Sequence, residues 1–289
     1  MTDMPIDISG KIDEPTVHAL ASVKKAADKL AAPFFIIGAK AKEFFLEHVH
    51  GLDLRRYTKD LDFGVSLTSW QDLSSLKAEL IAGHGFESTN QVQRVRFRDI
   101  NIDLVPFGPI AGSKRTLLWP PDESRRMTTA GFEEAFRSSP HVKISASPEL
   151  IVRVCSLAGL VVLKMISWRE LYPERGRDAA DILEIMDGYV HVYGLDRLYS
   201  AEQELLIEER FDSKLAAIRL LGRDVARIVS PTTGRSILSI LDEESGEESK
   251  RKLAVHMARE TGVFDMEYQD IGAKIDKFRQ GFIEEKGGF

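Results

Sequence analysis

From Asp60 to Leu67 the chain alternates without a slip: Leu61, Phe63, Val65 and Leu67 are apolar, and Asp60, Asp62, Gly64 and Ser66 stand between them. A period of two belongs to a β-strand with one face in a core and the other wet, and it does not fit a helix, whose period is 3.6. Same-side residues two apart on a strand are about 6.6 Å from each other, so Asp60 and Asp62 are expected to present two carboxylates on one face. We take this strand-forming segment to run from Arg56 to Leu67. Upstream, Phe34 to Ile37 is a short apolar run into Gly38, and Ala39 to Val49 has helical spacing through Ala41, Phe44, Phe45 and His48. The order is strand, tight turn, helix.

The same logic extends along the chain. Val17 to Leu30 and Leu73 to Ala82 have helical spacing, the second stopped by Gly83 and Gly85. Phe86 to Ser88, Val92 to Arg98 and Asn101 to Pro106 read as strands separated by turns at Asn90 and Asp99. Gly108 to Pro121 reads as loop, Ala130 to Arg137 as a short helix and Val142 to Ser145 as an edge strand. Ser147-Pro148-Glu149 has the signature of a helix start, which predicts a long apolar helix to about Trp168, with a second from Arg177 to Tyr189. Leu195 to Gly287 is charged and helical in pattern, broken at Ser230 to Gly234 and at the acidic stretch Asp242 to Glu248. The expected fold is α+β: a mixed β-sheet with flanking helices, followed by a helical C-terminal part. Its expected domains are residues 1–146, carrying catalysis, and 147–289, completing the substrate cleft.

Composition excludes several classes. With 43% hydrophobic and 29% charged residues, the 289-residue chain is neither disordered nor fibrous. Cys155 is its one cysteine, set among apolar neighbours, so no intrachain disulfide forms and a reducing compartment suits it. The N-terminus lacks a basic-then-apolar signal pattern, and the longest apolar run, Leu157 to Met165, contains Lys164 and is too short to span a bilayer. Cytoplasm without membrane attachment is the expectation. A net charge of -6 gives no global attraction for nucleic acid, so an RNA partner would need local basic patches. Arg94, Arg96 and Arg98 on one strand parity form one such patch; Lys114, Arg115, Arg125 and Arg126 form another. The histidines are scattered, without the close spacing of zinc ligands.

A third carboxylate, Asp103, lies in the strand-like Ile102-Asp103-Leu104-Val105, after a strand pair that returns the chain beside the first. Three acids on one sheet face repel one another unless a cation holds them ionised. Hard divalent ions, Mg²⁺ or Mn²⁺, take carboxylate and phosphate oxygens. Two of them a few ångströms apart activate an attacking hydroxyl and stabilise a leaving pyrophosphate. The turn at Gly38, with Ala39 and Lys40, stands where backbone N–H groups meet phosphates, although it is not a P-loop. Arg56 and Thr58 precede the acids, where an arginine pairs with carboxylate or phosphate.

Taken together, Gly38-Ala39, Arg56-Tyr57-Thr58-Lys59-Asp60-Leu61-Asp62-Phe63 and Ile102-Asp103-Leu104 resemble the AbiEii-like toxin branch of the DNA polymerase β-type nucleotidyltransferase superfamily. Its R-x-T-x-D-h-D strand is reproduced in full, and Lys164, Arg169 and Arg177-Asp178-Ala179-Ala180-Asp181-Ile182 match the branch's later helices. The likeness covers Phe34 to Tyr189 and departs at Ala39, where the family usually has glycine or serine. The resemblance implies transfer of a nucleoside monophosphate from an NTP to a hydroxyl, on RNA such as a tRNA end, by a toxin paired with an antitoxin. It further implies that Lys164 contacts the nucleotide phosphates and that Asp178 orients a lysine or the substrate. Trp168, one turn beyond Lys164, is a candidate surface for base stacking. The alternatives are transfer to a protein or to a small molecule such as an antibiotic, and a non-catalytic nucleotide- or protein-binding module.

Overall fold

The structure is a computed structural model that describes residues 4–245, 251–262 and 266–286. The strands, in chain order, are β1 (Ile6–Asp7), β2 (Phe34–Ile37), β3 (Leu61–Ser66), β4 (Glu87–Ser88), β5 (Arg94–Phe97), β6 (Ile100–Phe107), β7 (Thr116–Trp119), β8 (Arg125–Thr128), β9 (His141–Ala146) and β10 (Glu149–Arg153). The helices are α1 (Glu14–Lys29), α2 (Gly38–Glu43), α3 (Trp70–His84), α4 (Phe132–Arg137), α5 (Leu157–Glu170), α6 (Gly176–Tyr193), α7 (Leu195–Ala201), α8 (Gln203–Glu208), α9 (Ser213–Ile228), α10 (Pro231–Glu244), α11 (Lys252–Thr261) and α12 (Met266–Lys286). A π-helical turn, Phe44–Val49, continues α2. The α+β expectation holds, and the chain divides into two compact units, Met1–Ser156 and Leu157–Phe289.

In the first unit a five-stranded mixed sheet runs β2-β3-β6-β5-β4. β3 and β6 pair in parallel, while β2 flanks β3 and β5 flanks β6 in antiparallel fashion. The alternation read from the sequence decides which face is core: Leu61, Phe63 and Val65 are fully buried, as are Ile102 and Leu104. Helices α1 and α3 pack against each other, and both have strong stop-start chemistry. Asp13 caps α1 by accepting from Thr16 N, Ser69 and Asp72 form a reciprocal capping box at α3, and Gly85 ends α3 in the left-handed region. Gly64 packs under Phe35, whose ring leaves no room for a Cβ there.

Two local expectations are corrected. Ser147-Pro148-Glu149 does not begin a helix; Ser147 and Pro148 turn the β9–β10 hairpin, Glu149 opens β10, and α5 starts only at Leu157. Leu150 and Val152 are buried while Ile151 and Arg153 are half-exposed, so a period of two over five residues outweighs the capping signature. The first compact unit accordingly includes β10 and ends at Ser156. The Gly/Pro-rich stretch expected to be loop contains β7 and, with β8, forms a second hairpin. Leu117 and Trp119 make it fold, burying themselves with Ala111 against Trp70, Val92, Ile110 and Met127.

The second unit is helical throughout its described residues. α9 and α12 approach until their backbones touch: a Cβ on Gly222 would lie 2.1 Å from Phe278 O, and one on Gly281 1.8 Å from Arg219 O. The expected break is present but short: α9 ends at Ile228, and Pro231 to Gly234 already form the first turn of α10, capped by Ser230. In the acidic stretch, residues 246–248 lie outside the described residues. Among the described residues no helix is long and apolar enough to cross a membrane.

Candidate active site

The wet face of the sheet centres on one row. Asp62 on β3 is the direct register partner of Asp103 on β6, and Asp103 in turn is the partner of Arg94 on β5. Laterally paired residues project on the same side of a sheet with strands about 4.8 Å apart, so the two carboxylates and the guanidinium stand shoulder to shoulder. Asp60 lies just before β3 rather than within it, since the strand begins at Leu61 and not near Arg56. It keeps the parity of Asp62, and Asn101 Nδ2 of β6 donates to its Oδ1 at 3.1 Å. Thr58 Oγ1 accepts from Asp60 N at 3.0 Å, which fixes the backbone entering the strand. Arg56 is exposed.

Gly38 closes the other side of this row. Ile37 of β2 pairs with Asp62, and the chain turns at Gly38 with φ +72 into α2. A Cβ there would sit 2.2 Å from Asp62 Oδ2, so glycine is required both by the left-handed backbone and by the carboxylate against it. Ile37 offers no side chain to cap the first turn of α2, whose N-terminus begins with Gly38 and Ala39. Replacing Gly38 with alanine is expected to cost about 1–2 kcal/mol from the backbone alone. It also pushes Asp62 out of its place, so thermal melting and nucleotidyl-transfer rate should both fall, with the rate falling further than the melting shift explains.

Two expected contacts are revised. Lys40 is not an open cation beside the turn: it is 6% exposed and its Nζ donates to both oxygens of Glu43, at 2.7 and 2.9 Å. The basic strand face is largely consumed within the molecule, with Arg94 bound to Asp103, Arg96 to Glu87 and Arg115 to Glu134. The grip of Arg94 is bidentate: Nε donates to Asp103 Oδ1 and Nη2 to Oδ2, both at 2.7 Å. These hydrogen bonds, aided by the charges of Asp103, Asp60 and Asp62, raise the Arg94 pKa above its ordinary value. Arg94, expected in a nucleic-acid patch, is thus engaged with Asp103 instead. The signal for it was present: a two-residue turn at Arg98-Asp99 sets Arg94 opposite Asp103, and Arg98 has the positive φ of such a turn. Among the described residues, no three His, Cys, Asp or Glu side chains stand close enough to hold a metal ion as they are.

Lys164 belongs to the second unit, on α5, and is 8% exposed. Its Nζ lies 2.6 Å from Asp181 Oδ2 and 3.3 Å from Asp178 Oδ1, both on α6, while Arg175 Nε reaches Asp178 Oδ2 at 2.7 Å. Burial pulls the Lys164 pKa down, but Asp181 and Asp178 reverse this, and the net is a rise. Asp181, ranked below Asp178 on sequence, is the closer partner. Trp168 is not a stacking surface: it is 1% exposed and donates from Nε1 to His256 Nδ1 at 3.1 Å.

A mixed sheet whose wet face carries an Asp-x-Asp strand edge in register with a third aspartate, beside a glycine turn, is the setting of a nucleotidyltransferase. The family model for the AbiEii nucleotidyl transferase toxin of type IV toxin–antitoxin systems matches residues 44–260, and the chain belongs to that family. It is a nucleotidyltransferase, and an NTP substrate and an antitoxin partner go with the family. Two solved structures are similar at 17% identity: the solution structure of the antibiotic-resistance factor ANT(2'')-Ia, covering 68% of this chain and 98% of that chain with TM-score 0.34, and a crystal structure of ANT(2'')-Ia with adenylyl-2''-tobramycin, covering 69% and 98% with TM-score 0.32. No curated protein matches the chain.

Proposed function

We propose that the protein moves a nucleoside monophosphate from an NTP to a hydroxyl on an RNA end, as the toxin of a toxin–antitoxin pair in the cytoplasm. The observation that carries this reading is the register match of Asp62 with Asp103, with Asp60 on the same parity and the Gly38 turn against Asp62. As donors the three carboxylates fit Mg²⁺ or Mn²⁺: all are hard oxygens on one wet sheet face, flanked by the turn where phosphates are expected. Bound there, a pair of such ions would supply Lewis acidity to the phosphoryl oxygens and a lowered pKa for the attacking hydroxyl. The chain's own contributions are distinct. Asp60, Asp62 and Asp103 are the residues that would hold such ions, and Asp103 is also placed to take the proton of the acceptor hydroxyl. The Gly38 and Ala39 backbone N–H groups, with no side-chain cap before them, and the exposed Arg56 are proposed to orient the triphosphate.

RNA is favoured over a protein or small-molecule acceptor by the β7–β8 hairpin, whose exposed Lys114, Arg125 and Arg126 form a local basic edge on an acidic protein. The test is incubation of the purified protein with each of the four α-labelled NTPs, with and without Mg²⁺ or Mn²⁺, followed by separation of RNA from protein. Metal-dependent label in RNA is the expected result. Label in the protein fraction overturns the acceptor, and no transfer from any NTP by the folded protein overturns the reading as a whole.

A further inference from the structure

Three aspartates on one face carry three negative charges, and the structure already contains a cation that offsets part of them. Arg94 is the lateral neighbour of Asp103 on β5, donates to both of its oxygens at 2.7 Å, and is partly withdrawn from water, with side-chain exposures of 26% for Arg94 and 18% for Asp103. A fork-to-fork pair of this kind is the strongest hydrogen-bonded form a carboxylate finds in a protein. It commits both oxygens of Asp103 to Arg94, and among the described residues no three acids stand together as a metal-holding group.

We propose that Arg94 is the resident counter-ion of the acid face, and that a divalent cation binds by taking Asp103 away from it. The inference rests on the reading of Asp60, Asp62 and Asp103 as metal ligands. In the exchange two N–H···O hydrogen bonds break, from Nε to Oδ1 and from Nη2 to Oδ2, and oxygens of Asp103 form bonds to the incoming ion. No proton moves, because an arginine stays charged throughout and the carboxylate is already ionised. Metal affinity is therefore set by a competition, and Arg94 holds the site in a low-affinity state until the ion and its nucleotide arrive together.

The readout is Mn²⁺ binding without any turnover, followed by the electron paramagnetic resonance signal of the free ion. Arg94→Met removes the competitor and is expected to bind Mn²⁺ at least about tenfold more tightly than the wild type. Its metal-free form should melt at a lower temperature than the metal-free wild type, because Asp103 then loses its bidentate partner beside two further acids. Mn²⁺ should raise the melting temperature of Arg94→Met by more than it raises that of the wild type. Arg94→Gln, which keeps an N–H for Asp103 while losing the charge, carries the same expectation if the methionine variant does not fold. Equal or weaker Mn²⁺ binding by a folded Arg94 variant overturns the proposal. A double variant, Asp60→Asn with Asp62→Asn, separates the two ideas: if it binds Mn²⁺ as the wild type does, the acids are not the ligands and the underlying reading falls first.

Discussion

The double variant Asp60→Asn with Asp62→Asn should lose nucleotidyl transfer by about a thousandfold or more, corresponding to roughly 4 kcal/mol of transition-state stabilisation. Asparagine keeps the size and one oxygen of each side chain but removes both negative charges, so a hard cation loses its shared ligands while the sheet keeps its packing. Asp60 and Asp62 are half-exposed and their neighbours Leu61 and Phe63 carry the core. The oxygen kept at position 60 can still accept from Asn101 Nδ2, and charge repulsion beside Asp103 is relieved, so the melting temperature should hold or rise slightly. A rate loss with the fold intact, read from initial rates of label transfer and a thermal melt on the same preparation, is the signature. An equal loss of stability would assign these residues to the fold instead.

Lys164→Met is expected to act in the opposite way. It leaves Asp178 and Asp181, each 5% exposed, without the lysine that neutralises them, and breaking a buried ion pair from one side costs about 3–5 kcal/mol. The raised Lys164 pKa means that this contribution is complete below the ordinary lysine range and is lost only as pH climbs through the raised value. The destabilisation should therefore be full at neutral pH. Denaturant unfolding of Lys164→Met should show it, and Lys164→Met with Asp181→Leu should recover part of it, since the carboxylate closest to the lost lysine is then removed as well. If Lys164 instead serves mainly to touch nucleotide phosphates, as the family resemblance implied, Lys164→Met would keep its stability and lose only transfer.

Much of the fold was legible because its strands bury one face. Leu61, Phe63 and Val65 announced β3 and its wet face, and Gly38 and Gly85 marked a turn and a helix end that the backbone confirms. What escaped was non-local. Glu149 to Arg153 carries a cap-like prefix on a strand, and only the pairing of β10 with β9 settles the choice between helix and strand. β7 and β8 lie in a segment rich in turn formers, where Leu117 and Trp119 find their partners from outside the hairpin. At the site, the parity of the aspartates could be read from spacing alone, whereas the partners of the cations could not. Arg94 and Lys40 look like open positive charges in sequence, and they prove to be held by carboxylates nine and three residues away; Lys164, whose apolar helix calls for a partner, finds its closest one in Asp181, seventeen residues on. Helical and hairpin register decide such pairs, and spacing shows them only after the elements are known.

A crystal structure of the protein with Mn²⁺ and an NTP whose α,β-bridging oxygen is replaced by a non-cleavable group addresses the site itself. Metal density bonded to Asp60, Asp62 and Asp103, with the triphosphate along the Gly38–Ala39 turn and Arg94 released from Asp103, is the outcome that agrees with everything proposed above. A nucleotide bound elsewhere, with the three aspartates free of metal and Arg94 still gripping Asp103, would show that this sheet face is not where the chemistry happens.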